Sequence, residues 1–199
     1  SYWQSIINWL KNRHQFDVAR EELTFVPGVV RGIAYAINYF SQPGDKILIQ
    51  QPVYHPFKKV IEGNGRVVVN NPLRLVDGGY EMDLEQMRQV VEAERPKMMI
   101  LCNPHNPIGR VWTKEELNQL VELCAKYNVY LFSDEIHSDI TYGGHKHCSI
   151  LTVSEKAKEI SFCAMAPSKT FNIAGLKSSM FIIQNPEIRE KVQASIGAF

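Results

Sequence analysis

Apolar residues recur along this chain in two alternating periods. Trp3, Ile6, Ile7 and Leu10 fall at helical spacing, with Lys11, Asn12 and Arg13 on the polar side, so residues 1–14 are expected to form an amphipathic helix. Leu23-Thr24-Phe25-Val26 reads as a short strand stopped by Pro27-Gly28. Val30, Ile33, Ala34, Ile37 and Phe40 then make one apolar stripe along a helix. After the turn Pro43-Gly44-Asp45 come a strand at Lys46-Ile47-Leu48-Ile49, a helix over 54–62 and a strand at Arg66-Val67-Val68-Val69. Residues 70–82, with Asn-Pro and Gly-Gly punctuation, read as a loop.

Asp83 is an expected N-cap for a helix over 84–95, which Pro96 ends. Met98-Met99-Ile100-Leu101-Cys102 is apolar throughout, the pattern of a central parallel strand. Thr113-Lys114-Glu115-Glu116 has the form of a capping box and opens a helix to about Lys126. Val129-Tyr130-Leu131-Phe132 is the next strand, residues 138–152 are irregular, and 160–163 and 179–183 are further strands. A last helix over 187–195 is only begun where the sequence stops at Ala198-Phe199. Strands alternating with helices predict an α/β fold: three layers, α/β/α, around a mostly parallel sheet in one domain.

Composition narrows the class. Hydrophobic residues make up 45% and charged residues 22%, and the formal net charge is +1 without a Lys/Arg block, so no nucleic-acid or anionic-membrane surface is expected. No apolar run approaches the ~18 residues of a membrane-spanning helix. Ser1-Tyr2-Trp3-Gln4-Ser5 carries no basic or signal-like pattern. Cys102, Cys124, Cys148 and Cys163 lack framework spacing, so free thiols in a reducing cytoplasm are expected. His145, His147 and Cys148 have no complementary ligand pair elsewhere, and no metal site is expected.

Open parallel sheets bind ligands beyond the carboxyl ends of their strands, so strand-end polar residues are the candidates for chemistry. Lys169 follows the apolar run that ends at Met165; its amine can form a Schiff base with an aldehyde, although a loop lysine taken singly is usually a surface residue. Asp134 ends the strand beginning at Val129 and can pair with a protonated ring nitrogen or cap the next helix. Glu135 reads as a structural ion-pair or surface residue. Asn106 lies between Pro104 and Pro107, in a stiff loop that suits an amide donor and equally suits a plain turn. Gly28, Val29 and Val30 stand at a helix start, where backbone N–H groups bind anions; Ser168 can add a hydroxyl, and Lys177 can add a charge or be a solvated surface lysine. Tyr54 can stack on a planar ring or fill the core, and His137 can hydrogen-bond a ligand or be structural.

Taken together, Tyr54, Asn106, Asp134 and Lys169, in that order, resemble the fold-type I pyridoxal phosphate (PLP) enzymes of the class I/II aminotransferase superfamily. Within it, Cys102-Asn103-Pro104-His105-Asn106-Pro107-Ile108-Gly109-Arg110-Val111-Trp112, the segment Ser133 to Asp139 and the segment Pro167 to Leu176 look most like the MalY/PatB group of cystathionine β-lyases. The resemblance implies a PLP-dependent transferase-like large domain. Lys169 would be the catalytic Schiff-base lysine and α-proton base, and Asp134 the partner of the pyridine nitrogen. His137 stands where many aminotransferases carry a tyrosine, and Lys177 where they carry a phosphate-clamping arginine.

It further implies a C–S β-lyase that releases pyruvate, ammonia and a thiol from cystathionine or a related cysteine S-conjugate, working as a homodimer. An aminotransferase shares the first steps and is the alternative. A non-catalytic regulatory module that keeps the fold is a third reading. Such enzymes run to about twice this length as two-domain chains. Residues 1–199 are therefore expected to be the large domain alone, without an N-terminal segment and without the small domain that supplies the arginine for the substrate carboxylate.

Overall fold

The computed structural model describes residues 1–196; the expected continuation of the last helix toward Ala198-Phe199 lies outside the described residues. Helix α1 (Tyr2–His14) leads to strand β1 (Leu23–Val26) and helix α2 (Val29–Phe40). Strand β2 (Lys46–Ile49), helix α3 (Pro56–Gly63) and strand β3 (Val67–Asn70) follow. A small hairpin, β4 (Arg74–Val76) and β5 (Gly79–Glu81), precedes helix α4 (Leu84–Glu94). Next come β6 (Met98–Cys102), α5 (Lys114–Lys126), β7 (Tyr130–Asp134), α6 (Glu155–Ile160), β8 (Ser161–Met165), β9 (Ser179–Ile182) and α7 (Pro186–Ile196).

Seven strands form one sheet in the order β1-β9-β8-β7-β6-β2-β3. The run from β3 to β8 is parallel, whereas β9 is antiparallel to both β8 and β1. The chain leaves β2 for β3 on one side and returns to β6 on the other, which makes a topological switch point between β2 and β6.

Side chains alternate across the central strands and bury both faces. Leu48, Met99, Leu101, Leu131 and Cys163 pack with Leu10 of α1, Met87 of α4, and Leu117 and Leu120 of α5. Ile47, Ile100, Phe132, Phe162 and Phe181 pack with Ile33 and Ile37 of α2, Phe57 of α3 and Val192 of α7. This two-sided burial is why β6 reads as an unbroken apolar run.

Helix starts follow local chemistry. The Thr113 hydroxyl accepts from Glu116 N–H while the Glu116 carboxylate accepts from Thr113 N–H, and Asp83 accepts from Gln86 N–H.

Two expectations need correcting. Residues 70–82 are not simply loop: Asp77 and Gly78 both have positive φ, 48° and 80°, and turn β4 into β5. Residues 155–160 form α6, capped by Ser154 accepting from Ala157 N–H, so the strand expected from Ile160 begins at Ser161.

Candidate active site

Strands β6, β7 and β8 end side by side, with Cys102 in register with Asp134 and Asp134 with Ala164. The pairing runs on past the strand ends through Asn103 N–H to Asp134 C=O and Glu135 N–H to Ala164 C=O, both 2.9 Å. The loops that follow therefore leave the sheet from one edge. They carry Asn106, His137 and Lys169, and all three line a cavity of about 350 Å³ together with Asp134. That volume lies within the roughly 300–1,000 Å³ range of small-molecule sites.

The antiparallel setting of β9 completes the cavity. It places Ser179, the first residue of β9, opposite Val26, the last residue of β1. The Ser179 hydroxyl donates to Val26 C=O at 2.7 Å and accepts from Gly28 N–H at 3.0 Å. Gly28, at φ 101°, is the N-cap of α2, and the first turn of that helix holds no acidic residue. Gly28, Val29 and Val30 line the same cavity, as do Ser168, Lys177 and, from the loop after β2, Tyr54. All ten residues singled out in the sequence thus border one space.

Asp134 is buried and, among the described residues, its carboxylate accepts one hydrogen bond, from Ile136 N–H at 3.2 Å. Burial pushes its pKa up to about 7; the Ile136 N–H and the charge of Lys169 act in the opposite direction, and neighbouring Glu135 reinforces the rise. Lys169 makes no hydrogen bond or ion pair among the described residues, so its amine stands free in the cavity. Burial and the Lys169 charge hold His137 below its ordinary pKa, which favours neutral imidazole. The turn carrying Lys169 is closed by Phe171 N–H to Pro167 C=O at 2.9 Å and Ile173 N–H to Ser168 C=O at 3.0 Å.

Cys102, Arg31 and Ser179 also border the cavity and were not singled out. Cys102 ends β6 and satisfied the strand-end rule, but its apolar neighbours made it read as core; its sulfur accepts from Asn106 N–H at 3.2 Å and so steadies the Asn106 loop. Arg31 lies one residue past Val30 in the first turn of α2, where the same helix-start rule applies. Ser179 had no local signal, since its role depends on pairing with a strand 150 residues away. Glu135 is no surface residue: it is fully buried, accepting from Ser133 hydroxyl, Ile150 N–H and His147 Nε2, each at 2.9 Å.

An unpaired amine, a buried carboxylate that forms no ion pair and a helix start without an acid suit an aldehyde ligand that also carries a basic ring nitrogen and an anionic group.

Comparison with known proteins agrees with this chemistry. The chain is 44% identical to cystathionine beta-lyase PatB of Bacillus subtilis over 192 residues, 96% of this chain and 50% of that protein. It superposes on cystalysin from Treponema denticola, a structure containing pyridoxal 5'-phosphate, with a TM-score of 0.95 and 36% identity over 99% of this chain and 50% of the other. A PLP-bound C–S lyase from Staphylococcus hominis, complexed with L-cycloserine, gives a TM-score of 0.92 and 38% identity over 97% and 48%. The chain spans about half the length of the curated relatives it matches. Since the family model described as "Aminotransferase class I and II" matches residues 2–199, the chain belongs to that family.

Proposed function

We propose that this chain is the cofactor-binding large domain of a PLP-dependent C–S β-lyase acting on cystathionine or a related cysteine S-conjugate. The observation that carries the reading is the presence, in one cavity, of the Lys169 amine and the buried Asp134 carboxylate, neither of which forms an ion pair among the described residues. The relatives named as C–S lyases incline the choice toward lyase chemistry.

The residues fit PLP. Asp134 would hold the proton on its ring nitrogen. The N–H groups at the start of α2, the Ser168 hydroxyl and the Lys177 charge would hold its phosphate. Tyr54 would stack on the ring, and Asn106 and neutral His137 would donate to its phenolic oxygen. When bound, the cofactor supplies an electron sink for a carbanion at the substrate α-carbon. Lys169 would have two tasks, holding the cofactor through its amine and serving as the base for the substrate α-proton. The products of this lyase reading would be a thiol, pyruvate and ammonia.

Two measurements on the full-length enzyme test this reading. An absorbance band near ~420 nm, abolished by borohydride and missing in Lys169→Ala, is expected of a lysine–PLP link. Pyruvate release from L-cystathionine is expected next; amino transfer to a 2-oxo acid without pyruvate would replace the lyase by the aminotransferase. A homodimer in the cytoplasm belongs to the same proposal. The four free thiols support a reducing compartment, and light scattering at twice the monomer mass tests the dimer. Among the described residues no helix is long and apolar enough to cross a membrane.

A further inference from the structure

Asp139 lies five residues beyond Asp134 and does not border the cavity, yet its side chain is only 8% exposed. Four side chains converge on it: three hydrogen-bond its carboxylate, and Arg13 of α1 brings Nε to 3.8 Å from Oδ1 and donates to Asp139 C=O at 3.3 Å. Oδ1 accepts from Trp9 Nε1 at 3.0 Å and from His14 Nε2 at 2.7 Å, both on α1. Oδ2 accepts from the Thr170 hydroxyl at 2.6 Å. Burial raises the Asp139 pKa, but the hydrogen bonds from His14, Thr170 and Trp9 outweigh it and hold the pKa at about 2. The carboxylate is therefore ionised at neutral pH.

Thr170 is the residue after Lys169, and the residue after that is also held by α1. The Phe171 ring meets the Trp9 ring edge-on, with centroids 5.4 Å apart. Within the turn, Phe171 N–H to Pro167 C=O and Ile173 N–H to Ser168 C=O set its local shape, whereas the contacts from Thr170 and Phe171 tie it to α1 through Asp139 and Trp9. Phe171 is 53% exposed, Leu176 is 70% exposed, and Asn172 sits at φ 53°. The Lys169 side chain itself is unpartnered and rotamer-rich, so where its amine dwells depends on where the turn holds its Cα. A group that must reach two atoms in succession loses rate steeply when its anchor shifts.

We propose that Asp139 is a positioning residue for Lys169, fastening the turn that carries the reactive amine to helix α1 through Thr170 and Trp9. The inference rests on the reading of Lys169 as the PLP lysine.

The test uses the full-length enzyme and three variants. Thr170→Val removes one hydroxyl while keeping side-chain shape, Thr170→Ser keeps the hydroxyl, and Asp139→Asn keeps the size but not the charge. Thr170→Val and Asp139→Asn are expected to lower kcat roughly ten- to a hundredfold, the scale set by small misplacements of a reacting group, with KM changed far less. Thr170→Ser is expected to restore most of the rate. Independently of turnover, amide exchange over residues 167–173 is expected to speed up in Thr170→Val and Asp139→Asn, measured with and without PLP.

If Thr170→Val matches wild type in both kcat and exchange, the proposal fails while a normal cofactor band leaves the PLP reading standing. Should wild type show no borohydride-sensitive band, the PLP reading falls and takes this proposal with it. Asp139→Asn leaves His14 facing an amide in a buried site and is the variant at risk of misfolding, so Thr170→Val decides.

Discussion

Asp134 shows how a single side chain couples the cavity to the stability of the whole chain. Its folded pKa of about 7 lies above the ordinary 3.8, so the folded state binds this proton more tightly than the unfolded state does. The associated stability is complete below about pH 4 and is lost as pH rises through about 7. Urea melts of the full-length protein stripped of PLP are expected to show wild type losing stability from pH 5 to pH 8, while Asp134→Asn loses less. Equal losses in the two proteins would remove Asp134 as the cause. That Asp134 is a strand-end carboxylate was legible in the sequence, because an apolar run pointed at it. Its proton affinity was not, because burial between β6 and β8 is a tertiary property. Glu135 is the companion case: its partner His147 lies in an irregular segment with no period to announce the contact.

At the level of elements, α2 matters most, because its first turn faces the cavity while its middle touches the sheet. A Cβ built on Gly32 would lie 2.7 Å from the Phe181 ring, which is itself wedged against the rings of Phe132 and Phe162. Gly32→Ala should gain about 1 kcal/mol of helix propensity. The overpacking cost of about 1–3 kcal/mol outweighs that gain, because the ring has no space to yield. Net destabilisation in urea melts is expected, with weaker PLP binding as the helix start is pushed outward; a Gly32→Ala protein as stable as wild type would show that the ring can move. Helices with strong stripes or caps, such as α2 and α5, were legible because their signals are local. The hairpin β4–β5 was missed because its strands have three residues each, too few for a period. Its Asp77-Gly78 turn was the one available clue. Helix α6, with six residues, is short for the same reason, and only Ser154 marks its start.

The parallel character of the sheet could be read from alternating strands and helices, but not that β9 runs antiparallel or that β1 lies beside it. Strand direction at a sheet edge is decided by which surfaces remain to be covered, and no local pattern records that. Strands β6, β7 and β8 are consecutive in the sheet and near one another in sequence, whereas β1 has to wait for β9. Contacts between distant segments form late because loop closure must come first. In pulse-labelled exchange during refolding, amides of Ile100, Leu101 and Phe132 are expected to gain protection before those in β1; simultaneous protection would overturn that order. The same separation acts during biosynthesis. Val26 leaves the ribosome 153 residues ahead of Ser179, the residue whose hydroxyl ties it to the sheet. At roughly 5–20 residues per second, that is a wait of about 8–30 s. By the end of that interval the nascent chain holds the ends of β6 and β7 while Gly28 N–H still lacks the Ser179 hydroxyl, so on the proposed reading the phosphate cradle is the last part of the site to be finished, once β9 emerges and docks.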